Sequence, residues 1–164
     1  MHKGKLRNMT SLYLIREDGI LCLYRIGSRV ADHMYVGSAG GHFEPEEVND
    51  ARKCVLREAR EELELGESEL LDLKMRYVTL RYKNGELRQN YYFFARLKED
   101  RPLRSNEGQL SWFSWKEAES LSMPVSARHM LDHYLKVGRF DDHVYAGITE
   151  PCGSRFVILE EFGN

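Results

Sequence analysis

The run Arg57-Glu58-Ala59-Arg60-Glu61-Glu62 limits what this chain can fold into more than any other segment. On a helix, Glu58, Glu61 and Glu62 stand at i, i+3 and i+4, so three carboxylates leave one face within about one turn of each other. Crowded like charges repel. Such a face cannot be packed into an apolar core; it is either solvated or gathered around a hard cation such as Mg2+ that takes oxygen ligands. The helix alone leaves both open, because Arg57 beside Glu61 is also what an ordinary charged surface looks like. Upstream, Gly40-Gly41-His42-Phe43-Glu44-Pro45 makes a turn that ends an apolar stretch and leads into this run.

The pattern around it is mostly β. Thr10 to Arg16 and Ile20 to Ile26 are β-rich runs split by Glu17-Asp18-Gly19, which predicts a hairpin. After Gly27 an irregular stretch reaches Met34-Tyr35-Val36 and then Gly37 to Gly41, a loop of small residues suited to close backbone approach. From Asp50, Ala51, Cys54, Val55, Ala59 and Leu63 recur at helical spacing, with Asp50 as the expected N-cap. Leu73 to Tyr82 and Glu86 to Leu97 flank Lys83-Asn84-Gly85, a strong hairpin signal. Gln109 to Ser114 reads as a strand, Trp115 to Leu121 and Ser126 to Val137 as helices, and Val144 to Thr149 with Phe156 to Glu160 as a last pair of strands. The order predicts an α+β fold, an α/β/α sandwich with a mixed sheet, rather than a doubly wound parallel one.

With 164 residues the chain is expected to form a single domain spanning 1–164. Its 24 basic and 26 acidic residues leave a net charge of −2, which gives no general attraction to a nucleic-acid polymer or an anionic membrane. Phosphate recognition, if present, has to be local. Cys22, Cys54 and Cys152 are odd in number and widely spaced, so neither a disulfide framework nor a zinc site is expected, and a reduced cytoplasmic setting fits best. No stretch approaches ~20 consecutive apolar residues, and the basic start lacks an apolar core of a leader, so a soluble, unexported protein is expected. Nothing in the sequence speaks to oligomeric state.

The residues resemble the Nudix hydrolases, whose signature runs G-x5-E-x7-R-E-U-x-E-E-x-G-U, with U a large aliphatic residue. Gly41 and Glu47 have the first spacing, and Arg57 to Leu65 supply the second half. The chain departs from that pattern: Val48 to Leu56 put nine residues where it has seven, Ala59 is a small version of the aliphatic position, and Glu64 stands in place of Gly. The first implies a longer loop before the helix; the last, a changed helix exit or one moved to Gly66. The resemblance implies that Glu58, Glu61 and Glu62, with the Gly41 carbonyl, hold Mg2+ or Mn2+. Cations there would neutralise a diphosphate for in-line attack by water. It makes Arg57 the brace of the glutamates, paired with Glu47, although the inserted residues leave Glu44 and Glu46 as rivals. The general base would be a motif glutamate or Glu107, just before a strand.

The Glu107 to Trp115 segment, Ser122-Met123-Pro124 and the Phe140 to Phe162 region look like the 8-oxo-dGTP diphosphatase branch. That implies a small-molecule nucleotide partner, a nucleoside triphosphate cleaved to monophosphate and pyrophosphate. His42, Tyr92 and Trp112 are the substrate-side candidates. The mammalian branch reads its purine with two aspartates after a Trp-Pro; here the corresponding residues are Val125 and Ser126, so an oxidised base is not implied. Other branches are less well matched, although Tyr82 falls at about the place of a tyrosine in dinucleoside polyphosphate hydrolases. A nucleotide-sensing module that has lost turnover would not need all three glutamates. An isoprenoid diphosphate isomerase would need an active cysteine, for which only Cys22 and Cys54, both at expected core positions, are available. His129 and His133, at i and i+4, lack a third ligand nearby and are expected to be a surface pair.

Overall fold

The structure, a computed structural model, describes residues 4–29 and 31–162. Nine strands form one mixed sheet: β1 (Lys5–Arg16), β2 (Gly19–Arg25), β3 (Met34–Val36), β4 (Ala39–His42), β5 (Leu70–Lys83), β6 (Glu86–Leu97), β7 (Gln109–Ser114), β8 (Val144–Glu150) and β9 (Gly153–Leu159). The path runs β3-β2-β1-β6-β5-β8-β9, with β4 paired to β1 and β7 to β2. Parallel pairing of β1 with β6 and β5 with β8 sits among antiparallel hairpins, so the sheet is mixed as expected.

Alternation along the strands divides the core in two, because successive side chains leave a sheet on opposite faces. Leu12, Leu14, Leu21, Phe93 and Ala95 face helix α1 (Ala51–Leu63) and pack on its Val55, Ala59 and Leu63. Tyr13, Ile20, Cys22, Tyr77, Tyr92 and Phe94 face the other way, onto Met130, Leu131 and Tyr134 of helix α3 (Val125–Lys136). The four aromatics Tyr91 to Phe94 therefore serve two layers. A short helix, α2 (Trp115–Ala118), follows β7 and stops three residues before the expected Leu121.

Several local expectations are met. The Asn84-Gly85 turn has both residues at positive φ, +54° and +75°, as a tight hairpin of this type requires. Asp50 caps α1 by accepting from the Lys53 N–H at 3.0 Å. Two expectations need correction. Ala39 to His42, read as loop, is a strand held by β1, with Gly41 opposite Thr10 and Gly40 opposite Ser11. Its order comes from the partner strand, not from its own weak β propensity. His129 and His133 are half-buried rather than a surface pair: His133 Nδ1 lies 2.8 Å from the Tyr77 hydroxyl and His129 Nδ1 2.8 Å from Ser154 Oγ.

Candidate active site

β1 is long enough to be paired along one edge by two strands in turn, β4 over Met9 to Leu12 and β2 over Leu14 to Arg16. The chain thus brings its glycine turn alongside the middle of the sheet. α1 packs over β4, and Gly41 meets Glu58 there: a Cβ at Gly41 would lie 2.3 Å from Glu58 Oε1 and 2.8 Å from Oε2. A side chain there would displace the Glu58 carboxylate. Gly40 is equally constrained, since a Cβ there would fall 2.3 Å from the Thr10 carbonyl oxygen.

The carboxylates differ in environment. Glu58 is buried, and desolvation, partly opposed by Arg57, raises its pKa above the ordinary carboxylate value. Glu62 accepts from the Gly40 N–H at 3.2 Å, and burial pushes its pKa up to about 7, assisted by repulsion from Glu58 and Glu107. Glu61 is the most open of the three, with its side chain about half exposed. Arg57 is the shared partner: its Nη1 donates to Glu58 Oε1 at 2.8 Å and to Glu61 Oε2 at 3.0 Å. Brought together, the oxygens of Glu58, Glu61 and Glu62 and of the Gly41 backbone would make an oxygen-only donor set of the kind a hard divalent cation takes. Among the described residues no three His, Cys, Asp or Glu side chains are already drawn together for a metal. The hydrogen bonds explain this: Glu58 and Glu61 turn to Arg57, and Glu62 turns to Gly40.

Glu47 is the acid that meets Arg57, donating nothing and accepting twice, from Nε at 2.7 Å and Nη2 at 3.0 Å. Glu44 lies farther off at 3.9 Å, and Glu46 is exposed without a contact to it. The nine residues between Glu47 and Arg57 are divided between Val48 to Asp50 and the opening of α1 at Ala51, and Glu47 keeps its contact with Arg57. At the other end no shift to Gly66 occurs. Glu64 itself takes the left-handed conformation, φ +54°, and its N–H and that of Leu65 return to Arg60 and Ala59.

A cleft of about 760 Å3 crosses the α3 face of the sheet and ends at Gly40, Gly41 and Glu62. Tyr92 lines its floor, fully buried and stacked near Tyr13, with its hydroxyl beside Thr79 and Asn90. Met123 to Ala127 form a wall, at the place where the sequence resemblance put the base-reading residues. His42 lies at the carboxylate end and accepts from Arg7 Nε at 2.7 Å; burial and the neighbouring Arg7 charge lower its pKa. Trp112 does not line the cleft. It belongs to the α1 face, and the Arg16 guanidinium covers its ring at 4.4 Å. Tyr82 likewise alternates away from the cleft, between Arg81 and Lys83, which line it. Glu107 is bound by Arg25 at 3.0 Å near the carboxylate end, and its neighbour Asn106 donates to the Glu61 carbonyl, fastening the loop to α1. The sequence reading missed Arg7, Arg25, Arg81 and Arg88, which line the cleft. Each stands near the end of a different strand, and their grouping becomes legible only with the pairing register.

A NUDIX domain model matches residues 5–134. No curated protein sequence matches the chain. Among solved structures, a MutT protein from Bacillus halodurans superposes with a TM-score of 0.67 at 19% identity, covering 92% of this chain and 97% of that one. A NUDIX hydrolase from Nitrosomonas europaea gives 0.66 at 12% identity, with 90% and 81% covered. An Ap4A hydrolase from C. elegans gives 0.63 at 17% identity, with 82% and 99% covered. These likenesses agree with the α/β/α sandwich, and the domain match extends over β1 to α3, including the glycine turn, Arg57 and all three glutamates. The chain belongs to the Nudix family.

Proposed function

We propose that the protein is a Mg2+- or Mn2+-dependent pyrophosphohydrolase that cleaves a nucleoside triphosphate to a monophosphate and pyrophosphate. The observation that carries this reading is the meeting of Gly41 with Glu58, where a side chain would occupy the space between backbone and carboxylate. Glu58, Glu61, Glu62 and the Gly41 carbonyl would hold the cation. When bound, it supplies charge neutralisation and orientation of the phosphoryl groups.

The chain's own residues account for the rest. Arg57, held by Glu47, keeps Glu58 and Glu61 in place without touching substrate. The cleft takes the nucleoside, with the buried Tyr92 and Tyr13 beneath its floor and Met123 to Ala127 as a wall. Attack by water on a phosphorus forms one P–O bond and breaks the anhydride P–O bond, with pyrophosphate leaving. A carboxylate must take the water's proton, and Glu107 is the candidate outside the helix, fixed by Arg25 near Glu62. With Val125 and Ser126 in place of two aspartates, the pocket has no carboxylate pair there to select an oxidised purine.

The test is a Mg2+-dependent hydrolysis panel of canonical and oxidised nucleoside triphosphates, sugar nucleotides and dinucleotides, with Glu61→Gln and Glu107→Gln alongside wild type. Monophosphate and pyrophosphate from a triphosphate, lost in Glu61→Gln, is the expected result. Full activity in Glu61→Gln would overturn the carboxylate assignment, and full activity in Glu107→Gln would pass the base role to a motif glutamate.

A further inference from the structure

Three adjacent strands place arginines side by side at one level. β1 and β6 are in parallel register with Arg7 opposite Arg88, and β5 and β6 are antiparallel with Arg88 opposite Arg81. All three line the cleft, so they share one face of the sheet. The next rung outward is Lys5, Glu86 and Lys83. Strands lie ~4.8 Å apart, so the row extends ~10 Å across the sheet. It begins at His42, to which Arg7 donates, directly after Gly41.

Like charges directly opposite one another destabilise a sheet. A structural reason would be a matching set of acids, but among the described residues Glu86 alone serves, 2.7 Å from Arg88 Nε and 4.0 Å from Arg7 Nη1. Among the described residues the Arg81 and Lys83 side chains meet no acid, their part in the sheet being the backbone pairing with β6. One rung inward the face becomes Met9, Asn90 and Thr79, then Ser11, Tyr92 and Tyr77. A charged rim thus borders a polar and aromatic floor.

We propose that Arg7, Arg88 and Arg81 form a phosphoryl-binding rim, and that the preferred substrate is a nucleoside oligophosphate whose phosphate chain extends from the glutamates along this row. The proposal rests on the hydrolase reading above and adds to it the length of the anion. Guanidinium groups suit it, since each offers a planar fork of donors to phosphate oxygens. An uninterrupted row starting beside Gly41 matches a continuous chain of phosphates. A nucleoside diphosphate joined to a neutral sugar would leave Arg81 unanswered.

The first measurement is calorimetric binding of inorganic tripolyphosphate in the presence of a chelator, which takes divalent cations out of play. Wild type and Glu61→Gln should bind alike. Arg81→Gln should bind about tenfold more weakly, the size of one lost charge-assisted hydrogen bond, and all binding should weaken with added salt. Thermal melts check that Arg81→Gln is folded. Unchanged affinity in Arg81→Gln, or loss of binding in Glu61→Gln, would overturn the rim. The second measurement compares adenosine tetraphosphate with adenosine triphosphate under Mg2+. Arg81→Gln should raise KM about tenfold for the tetraphosphate with kcat unchanged, and less for the triphosphate. Equal effects on both, or a preference for a triphosphate bearing an extra phosphate on its sugar, would overturn the extended chain. If wild type hydrolyses no nucleotide, the hydrolase reading fails while the tripolyphosphate result still decides the rim.

Discussion

Arg57 and Glu47 meet fork to fork, Nε to Oε1 at 2.7 Å and Nη2 to Oε2 at 3.0 Å, with Glu47 only 1% exposed. The same guanidinium holds Glu58, Glu61 and the His42 carbonyl, so the glycine turn and the helix are tied through one cation. Removing Glu47 frees Arg57 to swing away from the carboxylates. Glu47→Ala should cost about 3 kcal/mol, as breaking a buried pair does, whereas Glu44→Ala, at 3.9 Å, should cost well under 1 kcal/mol. Denaturant midpoints of the two variants check this. Similar losses in both would refute the assignment of Glu47.

The pair also sets a pH window. The Arg57 guanidinium, by its hydrogen bonds, holds the Glu47 carboxyl down at about 2 against an ordinary 4.5. A depressed folded-state pKa means the contribution is full above about 4.5 and fades as pH falls toward about 2. The stability gap between wild type and Glu47→Gln should therefore be constant from pH 7 to about pH 5 and narrow below it. Urea melts at pH 7, 5 and 3 measure the gap, and a gap that widens on acidification contradicts the account.

Glu62 titrates in the opposite sense. Burial holds its pKa at about 7, above the ordinary 4.5, so metal-free protein pays to ionise it as pH rises between those values. In the absence of divalent ions Glu62→Gln should be more stable than wild type at pH 7.5 and lose that advantage near pH 4.5. Added Mg2+ should stabilise wild type and leave Glu62→Gln little changed, because a ligand for the folded state adds stability only where it binds. Equal Mg2+ stabilisation of both would remove Glu62 from the ligand set.

Glu64→Gly should stabilise the protein. Glu64 closes α1 in the left-handed region, where a residue with a Cβ costs roughly 1 kcal/mol more than glycine. For a chain of this size that is about 2–4 °C in Tm. A fall in Tm would mean that the Glu64 side chain itself contributes stability.

How much of this was legible in the sequence depends on the kind of signal. The α1 carboxylates, the Asp50 cap and the Asn84-Gly85 turn are local, with spacing and turn chemistry enough to place them. β4 was missed because glycines carry no strand preference of their own and are ordered by pairing with β1. Trp112 is a substrate-side candidate through the resemblance of its segment, and its place on the α1 face depends on the pairing of β7 with β2, which no local pattern states. Arg7, Arg88 and Arg81 lie 81 and 7 positions apart in the chain. Only the parallel β1–β6 register, closed over most of the chain's first half, sets them in a row.

Gly41 offers the sharpest separation of stability from chemistry. An alanine there would place its Cβ 2.3 Å from Glu58 Oε1 and 2.6 Å from Cδ, atoms at the end of a rotatable side chain. The helix backbone need not move; the carboxylate must. Gly41→Ala is therefore expected to fold with a Tm within a few degrees of wild type, while displacing the proposed ligand oxygen of Glu58 by about 1 Å, enough to cost on the order of 100-fold in rate. Mn2+ affinity, followed by paramagnetic line broadening, should fall with it. Two readouts separate the explanations: a large drop in Tm would make Gly41 a folding residue, and unaltered turnover would mean that Glu58 does not act from this position.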